Sequence, residues 1–428
     1  LWEDVGGRHG TLPLFVLIQE SPLMKFWQTL RRDAAPSSAL AAALALLVGY
    51  SGPFLIIVHA AQSAGLSAGQ LGSWVWAVSI GSGVAGLWLS WRWKAPVITA
   101  WSTPGAALLL TALPGVPYPE AIGAFLAAAA IVTLVGASGL FDRLMALFPP
   151  ALAAALLAGI LFHFVGEVVT EAARQLALVL PMAALFFAGR RWFGRWALLA
   201  AIALGVALCA GQGQLHAPPA GALSGIVGPA FTLPAWSWSA FINLALPLAL
   251  LALTSQFLPG MAVLRTFGYS VPARSPVTVL GVASLLTAPF GGHGVTLAAI
   301  IAAICTSPEA HADRSRRYVA GLFCGLFYIV LGLAGGALAA LVLLLPKALV
   351  VTAAGLALFG TLASSLGAAL ADGEHREAAL LTFVVAASGV SIAGLGAPLW
   401  AMLAGGLLRW LLQPAKPAPS KAETAAAP

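Results

Sequence analysis

The sequence predicts an all-α polytopic membrane protein whose fourteen transmembrane helices form a 7+7 inverted repeat. Of its 428 residues, 60% are hydrophobic and 8% charged, and mean hydropathy is +0.95, more apolar surface than a soluble core of this size can hide. Apolar runs of about 17 to 25 residues recur along the chain, the length an α-helix needs to cross ~30 Å of hydrocarbon. Two short runs, each the third in its set of seven, carry Gly/Pro breaks, and interrupted helices at corresponding positions mark an inverted-repeat transporter with a midplane site. Because seven is odd, the second half enters the membrane upside down relative to the first.

Charges, Pro/Gly clusters and Trp-rich borders delimit the spans. The first seven cover 39–62, 70–91, 97–113, 119–140, 150–168, 173–190 and 196–212. The second seven cover 239–259, 276–289, 293–306, 316–345, 347–370, 376–394 and 396–413. With the N-terminus inside, eighteen Lys and Arg fall in cytoplasmic segments and only Arg174 and Lys347 in external ones, so both termini are expected in the cytoplasm. The loop 213–238 has no Lys or Arg, and its Trp236 and Trp238 suit an outer aromatic belt. Residues 1–23 read as an upstream or non-native extension ahead of Met24, and 414–428 as a disordered Pro/Ala/Lys-rich tail.

Span 3 contains "AWSTPGAALL". Ser102 and Thr103 can cap a helix, Pro104 suits its first turn and Gly105 leaves the backbone open. The expected product is a half-helix whose free N–H groups and positive dipole end face a ligand; a proline-kinked helix satisfied by its neighbours is the alternative. Span 10, "APFGGHGVTLAAI", repeats the device: Gly291, Gly292 and Gly294 permit unusual backbone, and Val295 and Thr296 are expected to begin the helix. Two such N-termini meeting near the midplane would make an anion site suited to a carboxylate without any Lys or Arg. His293 could donate to that anion, change protonation during transport, or simply cap and pack.

Further polar residues punctuate the apolar runs. In span 8, Thr254, Ser255 and Gln256 precede Pro259 and Gly260; the Gln256 amide can donate to a carboxylate or bond a neighbouring helix. Span 1 breaks at Ser51, Gly52 and Pro53, with Tyr50 and Phe54 available to pack on an aromatic ring and His59 beyond them. His163, Glu167 and Glu171 share one helix face at i, i+4 spacing, and Glu167 joins His293 and His59 as a proton-path candidate. Glu309, His311 and Asp313 alternate in a basic loop, weak grounds for a metal site, and no metal or cofactor is expected. Cys209, Cys305 and Cys324 read as small packing residues, and Gly321 and Gly325 as a helix-packing GxxxG. No HExxH, Walker A, GxSxG or paired CxxC motif occurs, and the net charge of +7 is spread through short loops, so neither an enzyme nor nucleic-acid binding is expected.

"AWSTPGAALL", "LALTSQFLPGMAVLR" and "APFGGHGVTLAAI" followed by "AICTSPEAH" resemble, in that order, the signatures of the benzoate:proton symporter family over about residues 36–412. The resemblance implies the fourteen-helix fold of nucleobase and anion transporters, with short strands before the half-helices of spans 3 and 10. It implies a core from 36–142 and 239–345, a gate from 143–212 and 346–413, and the external loop 213–238, with residues 1–35 an N-terminal extension. The implied function is import of benzoate or a related aromatic carboxylate with a proton, by alternating access, across a bacterial inner membrane. Substrate and proton are then the partners, with membrane lipid around the chain and a homodimer as the candidate assembly. Nucleobase members of that fold carry acidic residues in spans 8 and 10, where this chain offers Ser255, Gln256 and the break around His293. A fixed carboxylate would repel an anionic substrate, so the departure is electrostatically consistent. A transporter of a nucleobase or inorganic anion is the alternative, and a membrane-embedded enzyme a more distant one.

Overall fold

The computed structural model describes residues 31–143, 149–215, 228–335, 337 and 344–412, apart from 52, 193, 309, 391 and 393–395. Helices dominate: α1 (Pro36–Ser51), α2 (Pro53–Ser63), α3 (Ala68–Trp93), α4 (Thr103–Ala112), α5 (Tyr118–Ser138), α6 (Pro150–Arg174), α7 (Leu176–Trp192) and α8 (Ala197–Gly211) come first. They are followed by α9 (Trp238–Thr266), α10 (Arg274–Thr287), α11 (Ala299–Thr306), α12 (Tyr318–Leu333), α13 (Lys347–Ala371), α14 (Arg376–Ala387) and α15 (Ala397–Leu412). Among the described residues, seven helices are long and apolar enough to cross a membrane: α1 with α2, α3, α5, α6, α9, α12 with the turn before it, and α13. Expectations for the N-terminal extension, the tail and Gly52 fall outside the described residues, wholly or, for the extension, up to residue 30.

Two strands, β1 (Thr99–Trp101) and β2 (Val295–Leu297), pair antiparallel with Thr99 opposite Leu297, Ala100 opposite Thr296 and Trp101 opposite Val295. They satisfy main-chain groups that hydrocarbon could not. Ser102 N donates to Gly294 O at 3.0 Å and Ala298 N to Ile98 O at 3.0 Å, extending the ladder at both ends. Each strand is pinned to a helix of its own half: Thr99 Oγ1 donates to Ser82 O of α3 at 2.6 Å, and Val295 N donates to Ser284 Oγ of α10 at 2.8 Å. One expectation is corrected here. Val295 and Thr296 belong to a strand, and α11 starts only at Ala299, because cross-strand pairing with 99–101 outcompetes helix formation by these β-branched residues.

Small residues let the helices close. A Cβ on Gly83 of α3 would lie 2.6 Å from Gly325 O of α12, and one on Gly325 would lie 2.7 Å from Gly83 O. α5 and α10 meet in the same manner, a Cβ on Gly136 falling 2.5 Å from Thr278 N and one on Gly281 2.5 Å from Thr133 Oγ1. Where hydrophobic burial gives no drive between helices, such close van der Waals packing is the main source of association. α6 packs on α13 and α14, α14 on α15, and α7 on α8. Leu180, Phe187, Leu403, Leu407 and Trp410 leave an apolar exterior on these helices, as lipid contact requires. Trp236 and Trp238 are exposed and pack edge to face beside Phe241, the arrangement expected of an interfacial belt.

At one end of the bundle the buried Asp33 carboxylate accepts from Tyr318 Oη at 2.9 Å and Arg32 Nε at 2.9 Å, with Arg316 Nε at 3.8 Å. The hydrogen bond from Arg32 chiefly holds Asp33 below the usual carboxylate range, against the opposing effect of burial. The folded state thus binds this proton less well than the unfolded chain does, so the stabilisation is present above the unfolded pKa and is lost as pH falls through the depressed folded one.

Two outcomes follow. Gly325→Leu should lower the unfolding temperature of detergent-solubilised protein, by an amount corresponding to about 1–3 kcal/mol or more, because backbone lies in the way of the new side chain. Asp33→Asn should lower it at neutral pH, and the gap from the parent chain should narrow in melts run below about pH 4.

Candidate functional site

A cavity of about 1040 Å³ lies between the helices that carry the strand pair and α6, α7, α8 and α13. Exposed Arg190, Gly194, Ser364 and Ala368 mark its open end, whereas Ile56 and Leu161 at the other end are buried. Between them the wall is built from Ala100 and Trp101 of β1, Thr103 and Pro104 of α4, Ala298 and Ala299 at the start of α11, and Thr254, Ser255 and Gln256 of α9. Most of this lining is apolar, with a few polar groups at its waist, the usual composition of a small-molecule site.

Local sequence explains why those polar groups face inward. Leu253–Phe257 forms a wide π-type turn ahead of Pro259, which has no N–H to offer the Ser255 carbonyl. Widening the turn rotates Ser255 and Gln256 to the cavity, where both are partly exposed, while Thr254 bonds back to Leu250 O at 2.8 Å. The half-helix termini are unlike one another. In α4, Ser102 Oγ accepts from Gly105 N at 3.0 Å and Ala106 N donates to Ser102 O at 2.8 Å, so the predicted cap forms and occupies the first turn's donors. In α11 the cap position is Ala298, which has no side chain to accept a hydrogen bond. Ala298 and Ala299 line the cavity, so the helix starts at its wall, where the dipole has its positive end. The half-helix start expected at Gly292–Val295 therefore lies at Ala298–Ala299.

The glycine-rich break does not line this cavity. Gly291 (φ 100°) and Gly294 (φ 142°) turn the chain from α10 into β2, and a Cβ on Gly291 would meet Tyr118 Oη at 2.7 Å and Trp74 Cα at 3.1 Å. His293, 3% exposed, lies behind the strands, with Val295 buried in β2 beside it. Trp74 Nε1 donates to His293 Nδ1 at 2.8 Å, and His293 Nε2 lies 2.9 Å from Ser102 O. An indole N–H only donates and a carbonyl only accepts, so the ring carries its proton on Nε2 and donates it to Ser102. The second half's break is thereby clamped to the first half's helix cap. A second proton on the ring would set two N–H groups against each other.

Other predicted residues are distributed around the cavity. Tyr50 and Phe54 are behind it: Tyr50 stacks edge-on against Trp101 at 4.7 Å, lies 5.8 Å from Phe54, and shares a 2.6 Å hydrogen bond with Ser79 Oγ. The aromatic groups that do reach the cavity are Phe186 of α7 and Trp101, 2% exposed, inside the quoted "AWSTPG" motif. The signal for Trp101 in the sequence was its place directly before the cap. Ser102 and Gly105 support the wall without lining it, while Thr103, Pro104 and Gln256 line it. His59 and Glu167 meet elsewhere, His59 Nε2 lying 4.0 Å from Glu167 Oε2 beyond the buried end. Glu171 pairs with Arg174 at 3.7 Å. Asp313 N donates to His311 Nδ1 at 3.0 Å, and Glu309 is outside the described residues.

In fold, the chain is similar to the transmembrane domain of a cyanobacterium bicarbonate transporter, BicA, with TM-score 0.56 at 13% identity over 87% of this chain and 97% of that one. It is similar to SLC26A9 at TM-score 0.56 and 13% identity, covering 87% of this chain and 65% of that one. In sequence it is 41% identical over 385 residues to the benzoate membrane transport protein of Acinetobacter baylyi, 90% of this chain and 97% of the relative. It is 39% identical over 372 residues to the inner membrane protein YdcO of Escherichia coli, 87% of this chain and 95% of the relative. The family model described as benzoate membrane transport protein matches residues 32–411, and with this coverage the chain belongs to the benzoate membrane transport family, a family of membrane transporters and not of enzymes.

Proposed function

We propose that the protein imports benzoate or a closely related aromatic carboxylate with a proton across the bacterial inner membrane, by alternating access. The observation that carries the substrate assignment is the waist of the cavity, which the uncapped N-terminus of α11 lines together with Thr103, Gln256 and the Trp101 ring. Free main-chain amides at a helix N-terminus bind a carboxylate without a counter-ion. The Gln256 amide donates to its second oxygen, and Trp101 with Pro104 and Ile301 offers apolar surface to a ring. Among the described residues, no Asp or Glu lines the cavity to repel an anion. The bicarbonate transporter named among the fold neighbours favours an inorganic-anion reading, and the apolar, aromatic wall favours the aromatic acid over it.

Fourteen spans in two inverted sevens are supported by the packing. Antiparallel β1 and β2 stand at the third position of each seven, and the close pairs α3–α12 and α5–α10 exchange under such a symmetry. In this reading α1–α5 and α9–α12 form the core and α6–α8 and α13–α15 the gate, with the cavity between them. Arg190 at the open end supports a cytoplasmic side there, and in this reading the conformation is open inward. Core and gate then rock about the fixed waist.

Three results test this reading. In proteoliposomes, an inward proton gradient should drive labelled benzoate to several times its outside concentration, with uracil, sulfate and bicarbonate failing to compete; competition by any of them at equal concentration would reassign the substrate. Ala298→Asp should abolish uptake while leaving the protein folded by its melting curve, since an aspartate at the cap stabilises the helix yet fills the anion site. Gln256→Ala should raise KM about tenfold or more, the range of a hydrogen bond to a charged group, with little change in melting temperature.

A further inference from the structure

The cavity ends inside the bundle at apolar residues, and polar groups stand beyond them. Along α2 the lining stops at Ile56, one turn before His59. Along α6 it stops at Leu161, six residues and about 9 Å before Glu167. On α13, which runs the other way, it stops at Ala357, leaving Thr352 about 8 Å and Lys347 about 15 Å beyond. His59, Glu167, Thr352 and Lys347 thus stand together past the closed end, on helices from both sides of the cavity.

Two features distinguish this seam from ordinary helix packing. His59 Nε2 lies 4.0 Å from Glu167 Oε2, with the imidazole buried and the carboxylate half-buried. Beside them, Gln62 Oε1 of α2 and Thr352 Oγ1 of α13 are buried with no hydrogen-bond partner. A permanently sealed core does not tolerate such groups well, whereas a seam that opens to water hydrates them in its other state. Among the described residues, the remaining ionisable groups nearby are few. Lys347 acts on His59 electrostatically from α13, Glu171 and Arg174 of α6 pair with each other, Tyr50 of α1 is bonded to Ser79, and α4 contributes none. His163 of α6 has its side chain outside the described residues.

We propose that His59 is the proton-binding group of the transport cycle and that its pair with Glu167 is the outer latch. This rests on the symport reading above. When the seam is open, His59 Nε2 takes a proton from external water; the imidazolium attracts the Glu167 carboxylate, and the seam closes over the loaded site. The proton leaves toward the cavity, one turn away at Ile56, and the uncharged imidazole, no longer an ion-pair partner for the Glu167 carboxylate, holds the seam only weakly. His293 is unsuited to this task, since both ring nitrogens are engaged within the strand clamp.

The test combines transport with labelling. His59→Gln and Glu167→Gln should each lose proton-driven benzoate accumulation by about tenfold or more while retaining benzoate–benzoate exchange, and the dependence of exchange on external pH should flatten. A cysteine introduced as Gln62→Cys should react with a membrane-impermeant thiol reagent from outside about tenfold faster when combined with His59→Gln or Glu167→Gln than alone. Accumulation by His59→Gln with the parent pH profile would overturn the proposal. So would Gln62→Cys labelling unchanged by both partner substitutions, which decides the matter if His59→Gln also loses exchange. If the parent protein accumulates no aromatic carboxylate, the substrate reading fails, and the labelling comparison still decides the latch.

Discussion

The constraint on which the structure depends is that two interrupted helices must have their main-chain polar groups satisfied in a hydrocarbon setting. The antiparallel pair Thr99–Trp101 and Val295–Leu297 does this, and the ladder continues into Ser102 N to Gly294 O and Ala298 N to Ile98 O. His293 reinforces it from behind by joining Trp74 to the Ser102 carbonyl. Everything at the waist of the cavity follows. The start of α4, the start of α11 and the Trp101 ring are placed by residues adjoining this pair, so a displacement of either strand would move all three.

The two half-helices share a design but divide the work. Ser102 caps α4 and occupies its donors, while Ala298 leaves those of α11 uncovered. An anion therefore has a stronger reason to meet α11 than α4. The polar side chains opposite come from the π-type turn of α9, whose widened geometry follows from a proline that cannot close the ladder. The seam past the closed end is different in kind: it holds a His–Glu pair and two unpartnered oxygens where the waist holds dipoles. In the proposed reading, separating neutral main-chain donors for the substrate from titratable side chains for the proton keeps a fixed charge away from a carboxylate.

Much of the organisation was readable from residue order. The break at "WSTPG" produced the cap that its Ser, Pro and Gly imply, because capping is a local interaction among neighbours. The break at "GGHGVTL" was visible too, yet its outcome was misplaced by a few residues: glycines mark where a chain can turn, and not what the next residues pair with. His293 illustrates the same limit. A histidine between glycines has several local uses, and only Trp74, 219 residues away in sequence, reveals which one applies. Trp101 was quoted within its motif and passed over, since an aromatic residue in an apolar run carries no local mark of facing a cavity.

Composition and span length, properties of a few tens of residues at a time, determined that the chain is a helical membrane protein, and its Gly/Pro clusters marked the two breaks. The Ser102 cap and the small-residue packing of Gly321 and Gly325 were likewise contained in short stretches. Tertiary structure decided the rest: that 295–297 is strand, that α11 and not α4 keeps free donors, that His293 is clamped, and that His59 meets Glu167. The strand, the clamp and the His–Glu pair each depend on a partner roughly 100 to 200 residues distant in the chain, chosen by packing and hydrogen-bond satisfaction across the whole bundle, which no local pattern encodes.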